Sequence, residues 1–155
     1  MSERIGRITI DQGSIRHLSM EVEHERNVAV ADLLGDNAFA PVGMGCGPYG
    51  VHLRIEEGRL VFDVRSAETE KKTSVALSVA PLRGIVRDYF LICESYYSAL
   101  KESTPSRLEA VDMGRRGVHN EGSEKLKSLL EGKIAVDHQT ARRLFTLICV
   151  LHIKQ

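Results

Sequence analysis

The chain has 155 residues, with 21 Lys+Arg against 21 Asp+Glu, so its formal charge is zero. Residues 1–80 carry nine basic and twelve acidic side chains and residues 81–155 twelve and nine, too slight an asymmetry for a nucleic-acid footprint. Hydrophobic residues make up 43% and charged residues 27%, which excludes a disordered or fibrous chain and suits one domain over 1–155 that buries about two-thirds of its unfolded surface.

No apolar run approaches the roughly 20 residues of a membrane span, and the opening MSERIGRITID lacks the apolar core of a secretory signal. Cys46, Cys93 and Cys149 are odd in number and have no pairing pattern, as in a reducing compartment. A cytoplasmic protein is expected, with no membrane partner.

Ile5 to Asp11 reads as a strand, Ile8 and Ile10 alternating with Thr9 and Asp11. After a loop through Gly13, Ser19 is placed to cap a helix running to about Leu34, with Gly35 as its stop. Glu21, Glu23 and Glu25 favour the positive end of that helix, and Val22, Ala29, Val30 and Leu33 supply its core side. Asp36 to Gly50 reads as an irregular loop of tight turns around the anchors Phe39 and Tyr49. Its Gly-x-Gly-x-Gly follows a helix and precedes a strand, the reverse of a dinucleotide fingerprint. Cys46 lacks a neighbouring histidine or basic partner, so no nucleophilic role is assigned to it.

A meander follows. Val51, Leu53 and Ile55 alternate with His52, Arg54 and Glu56, Glu57-Gly58 makes a hairpin turn, and Leu60, Phe62 and Val64 return. Ser66 to Lys72 turns again into Val75, Leu77 and Val79. One apolar and one polar face predict an antiparallel sheet wet on one side, with His52 an ordinary surface histidine. Pro81 opens a helix whose Leu82, Ile85, Val86, Tyr89, Cys93, Tyr96 and Leu100 share a stripe. Ser103 or Thr104 caps the next helix ahead of Pro105, and that helix runs to Leu130 and stops at Gly132; Gly114, Gly117 and Gly122 within it point to close backbone approach, a kink or a break. Asp137 or Thr140 starts the last helix, which is apolar nearly all round and therefore belongs in the bundle centre or in a homodimer interface. The fold class is α+β: an antiparallel four-stranded sheet in the order β-α-β-β-β, covered by three C-terminal helices.

Functional interest concentrates in Glu109 to Ser123, EAVDMGRRGVHNEGS. On a helix, Asp112 neighbours Arg116, Arg115 neighbours His119, and Arg116 neighbours Asn120. Arg115 falls on the seam of Leu108, Val111, Val118, Gly122, Leu126 and Leu129, where an unpaired charge is very costly. It needs a carboxylate, backbone carbonyls or a bound anion, and Glu94 on the preceding helix is the carboxylate expected to meet Arg115 or Arg116. Arg142 and Arg143 sit unfavourably in the first turn of the last helix and are a second candidate contact for the same ligand. An ion-pair network tying helices together explains the cluster equally well.

No zinc spacing, H-E-x-x-H, Walker loop or G-x-S-x-G elbow occurs, and no cofactor is expected. The stretches VEHERNVAVADLL, NAFAPVG, GPY, PLRGIVRDYFLICESYYSAL, EAVDMGRRGVHNEGS and ARRLFTLICVLH cover most of residues 20–153. In them the chain resembles an uncharacterised alphaproteobacterial family, number 0262 of the UPF series. The resemblance implies a bacterial cytoplasmic protein and no particular activity. The leading expectation is a non-enzymatic binding or regulatory module for an anionic small molecule, nucleotide or partner carboxylate. Arg115, Arg116, His119 and Asn120 would make the contacts, supported by Asp112 and Glu94. One alternative is a hydrolase or phosphoryl-transfer enzyme with His119 as acid/base near neutrality and Glu94 or Glu121 orienting it. Another is a structural subunit that docks through the last helix.

Overall fold

The Glu57-Gly58 turn sets the register of the sheet. Both residues are left-handed, at φ 51° and 75°, the pairing that matches the twist of a two-residue hairpin. In the computed structural model, which describes residues 3–11, 20–102 and 104–152, this turn joins β3 (Tyr49–Glu56) to β4 (Arg59–Ser66). Val51, Leu53 and Ile55 consequently stand opposite Val64, Phe62 and Leu60. The remaining elements are β1 (Ile5–Ile10), α1 (Met20–Gly35), β2 (Phe39–Pro41), β5 (Lys72–Ser78), α2 (Arg83–Glu102), α3 (Pro105–Leu130), β6 (Ile134–Val136) and α4 (His138–His152). Gly13, Ser19 and Ser103 lie outside the described residues. Thr104 is the cap of α3, its hydroxyl accepting from the Arg107 amide at 3.3 Å.

The α+β class holds, but the sheet is mixed. Its order is β1-β3-β4-β5, and β1 runs parallel to β3, Ile8 beside Val51 and Ile10 beside Leu53. The connection through α1 carries the chain back to the end of the sheet where β1 began, as a parallel neighbour requires. The expected irregular loop 36–50 also contains β2, which pairs antiparallel with β6 over Phe39–Pro41 and Ile134–Val136. Three-residue strands are too short to leave a periodic trace. Phe39 and Tyr49 do anchor this region, both buried with ring centroids 6.0 Å apart.

Ile8, Ile10, Leu53, Phe62 and Leu77 turn one sheet face into the core, where they meet Leu33 of α1, Leu126 and Leu130 of α3, and Leu144 and Ile148 of α4. Four helices therefore build the helical side rather than three, because α1 packs against α4. Ala141, Leu144, Phe145, Leu147, Ile148, Cys149 and Val150 are all fully buried. Along these residues α4 lies at the centre of the helical layer, covered by its own chain.

Of the three readings of the α3 glycines the break is absent, the helix being continuous for 26 residues. Two of the three, Gly114 and Gly122, serve the close approach that was among those readings. A Cβ on Gly122 would lie 2.5 Å from the Phe145 ring, and one on Gly114 would lie 3.1 Å from the Ile92 side chain. The buried stripe is His119, Gly122, Ser123, Leu126 and Leu130, turned slightly from the predicted seam, so that His119 lies deeper than Arg115. No helix among the described residues is long and apolar enough to cross a membrane.

Candidate functional site

Continuity of α3 brings Asp112, Arg115 and Arg116 onto adjoining turns, where one carboxylate serves two arginines. Asp112 Oδ1 accepts from Arg115 Nη2 at 3.0 Å and Oδ2 pairs with Arg116 Nη2 at 2.8 Å. Arg115, foremost, and Arg116 hold the Asp112 carboxyl below the usual carboxylate range. Arg115 also lies 3.6 Å from Glu25 Oε1 on α1, and its Cζ stands 4.3 Å over the Tyr96 ring of α2, a cation–π geometry. Burial opposes its charge, but Asp112 and Glu25 outweigh it and the guanidinium pKa is raised.

Glu25 ties three helices together. Its Oε2 accepts from the Tyr97 hydroxyl at 2.8 Å and Oε1 from the Tyr89 hydroxyl at 3.4 Å, while Arg115 approaches from α3. This is the place assigned to Glu94 in the sequence, and the assignment is corrected. Glu94 is exposed and forms no ion pair among the described residues. It lines a separate cavity of about 520 Å³ between α1 and α2, with Val22, Glu25, Phe90 and Tyr97. Glu25 was read only as a charge favouring its helix dipole. Its spacing of three from Val22 and four from Ala29 puts it on the core side of α1, and that signal was legible.

His119 is 6% exposed, its ring 5.3 Å from Tyr89 and 6.4 Å from Phe145 between centroids. Burial first, then the charges of Arg142 and Arg115, pull its pKa down to about 4. A neutral imidazole in a ring stack lacks the near-neutral titration that acid/base chemistry requires. Glu94 and Glu121 are both exposed and neither hydrogen-bonds it. Two buried atoms here have no hydrogen-bond partner, Arg115 Nε and His119 Nε2. Asn120 is exposed, and the Arg116 side chain is 67% exposed. The two buried thiols offer no nucleophile: burial pushes Cys93 up to about 11 and raises Cys149 well above its ordinary value.

The first turn of α4 completes the cluster. Asp137 Oδ1 caps it by accepting from the Thr140 amide at 2.8 Å. Arg143 turns away, donating to the Asp36 and Asp32 carbonyls at 3.0 and 3.3 Å; a cation suits that C-terminal end of α1. Arg142 is half-buried and, among the described residues, its guanidinium makes no hydrogen bond or ion pair, although its carbonyl accepts from the Thr146 hydroxyl at 3.3 Å. Burial lowers its pKa, and so do the charges of Arg115, Arg116 and Arg143; Asp112 only partly offsets them. Arg115 and Arg116 thus take up the carboxylates Asp112 and Glu25, with the Arg142 charge close enough to be felt but not paired. The weaker sequence candidate, Arg142, is the one left without a partner.

Among known proteins, the chain is 60% identical over 134 residues to a UPF0262 protein of Paramagnetospirillum magneticum, spanning 86% of this chain and 85% of the relative. It is 51% identical over 154 residues to one of Xanthobacter autotrophicus, spanning 99% and 94%. With one of Rhizobium leguminosarum bv. trifolii it shares 52% over 152 residues, spanning 98% and 90%. No solved structure matches. The model of the uncharacterised protein family UPF0262 matches residues 2–154, and the chain belongs to that family.

Proposed function

We propose that the protein is a cytoplasmic, non-enzymatic binding module for an anionic small molecule or the phosphate of a nucleotide. Arg142 and Arg116 make the contact from the solvent side, with the exposed Asn120 one turn on from Arg116 along α3, and Asp112 holds Arg115 and Arg116 in place. The observation that carries this reading is the half-buried Arg142, unpaired and pressed by like charges from Arg115 and Arg116. An anion there would relieve that repulsion with charge-assisted hydrogen bonds. Binding is favoured over catalysis because His119 is neutral and enclosed in the ring stack. Glu94 has no part in the contact.

A thermal-shift series with inorganic phosphate, ADP and ATP tests the reading. The melting temperature should rise with concentration, and Arg116→Ala should lose that rise while remaining folded. Protection that survives in both Arg116→Ala and Arg142→Ala would refute it. A cluster that merely ties the helices together would instead give no shift with any anion and lose stability in both variants.

A further inference from the structure

The face of the sheet turned away from the helices carries a second pattern that the helical cluster does not explain. Arg7, Gly50, Arg65 and Lys72 stand directly opposite one another in a single row across β1, β3, β4 and β5. With strands about 4.8 Å apart, the row is roughly 14 Å wide, and Arg7 and Arg65 flank the glycine at one strand spacing each. Like charges placed opposite one another destabilise a sheet. Only Arg65 is compensated, by an exposed pair with Glu70 at 2.9 Å, a kind worth little in water. The side chains of Arg7 and Lys72 make no ion pair or hydrogen bond among the described residues.

Gly50 is the telling member of the row. Glycine weakens a strand interior and usually marks a bulge or a close approach of another group. The register does shift beside Gly50, Ile5 facing Tyr49 and Arg7 facing Gly50, but the extra residue of that bulge is Gly6 on β1 and asks for no glycine on β3. The Gly50 φ is not left-handed, and a Cβ would meet only the Arg65 carbonyl oxygen, at an ordinary 4.0 Å. The missing side chain leaves a notch between the two arginines, part of a hollow of about 520 Å³ that also includes Thr9, His52 and Ser74. A second hollow of about 410 Å³ adjoins it and shares Arg7, Gly50 and Arg65. The next row is polar: Thr9 Oγ1 and His52 Nδ1 are 2.7 Å apart, and Ser74 donates to Asp63 at 2.6 Å.

We propose that this notch binds a phosphate-bearing small molecule, its phosphate over Gly50 between Arg7, Arg65 and Lys72, and its hydroxyls along the Thr9–His52–Asp63–Ser74 row. Bare backbone beneath convergent cations lets an anion approach closely, and arginine forks match phosphate oxygens. A nucleic acid is the less suitable occupant, because no Phe, Tyr or Trp lies on this face to stack successive bases and His52 is already engaged with Thr9. The site is independent of the arginine cluster on α3 and α4.

The test is a titration of the full, isotopically labelled chain with inorganic pyrophosphate, followed by amide chemical shifts. The amides of Arg7, Gly50, His52, Arg65 and Lys72 should move together. Gly50→Thr should abolish those shifts with an unchanged or higher melting temperature, since threonine favours strands. Lys72→Gln, an exposed change, should weaken binding about tenfold, one lost phosphate contact being worth roughly that. Shifts confined to α3 and α4 would overturn the proposal while leaving the helical site standing. Undiminished binding by Gly50→Thr would overturn it, as would tighter binding of an oligouridylate than of pyrophosphate on the same residues.

Discussion

Acidification offers a sharp test of the enclosed histidine. Folded His119 titrates at about 4 and an unfolded histidine near 6.5, so between those values the unfolded chain binds the extra proton and the folded one does not. Stability therefore falls as pH drops through 6.5 and levels off near 4. Treating His119 as a single titrating site gives a loss of about 2 kcal/mol between pH 7 and pH 5, approaching 3 kcal/mol at still lower pH. His119→Phe should keep the ring stack against Tyr89 and Phe145 and remove a buried nitrogen that has no partner. Urea unfolding of both proteins at pH 7, 6 and 5 isolates the effect, because the other titrating groups are common to both. The parent should lose about 2 kcal/mol more than the variant over this range. Parallel losses would mean that the imidazole is protonated in the fold, and His119 would return as an acid/base candidate.

Two further contrasts follow from particular contacts. Gly122→Ala drives a Cβ to 2.5 Å from the buried Phe145 ring, whereas Gly117 has nothing within 4 Å. Overpacking set against helix propensity predicts that Gly122→Ala costs about 2 kcal/mol and Gly117→Ala gains about 1, both read by urea denaturation. Glu25→Gln should cost about 2 kcal/mol by the same assay, because Arg115 loses an opposing charge and the Tyr97 hydroxyl loses an ionised acceptor. Exposed Glu94→Gln should change stability by less than about 0.5 kcal/mol. Equal effects at the two glutamates would restore Glu94 to the network.

The meander was plain in the sequence because alternation and a Glu-Gly turn each have a direct structural consequence. The long apolar stripes likewise marked α2 and α4. What alternation cannot carry is the direction of a strand joined through a helix, and β1 was misassigned for that reason. The pairing of β2 with β6 joins segments nearly a hundred residues apart that are too short to show a period. In α3 the three glycines left close approach, a kink and a break open, and two of them prove to accommodate Ile92 and Phe145, neighbours visible only once helices pack. The arginine cluster was legible as a cluster. Its counter-ion was misassigned because Glu94 is nearer in sequence, while Glu25 arrives from a helix that packing brings across. His119 was placed among solvent-facing ligands because its helical neighbours are polar, yet a small rotation of the buried stripe encloses it.

The arginine cluster receives an anion only if Arg142 is free to give its charge to one. Calorimetric titration of ADP into the parent protein and into Arg142→Gln, at low salt and pH 7.5, measures this directly. Saturable binding by the parent, weakened tenfold or more in the variant, a loss of at least about 1.4 kcal/mol, is the result required. Equal affinity in the two proteins, or no heat of binding in either, would contradict an anion site built on Arg142.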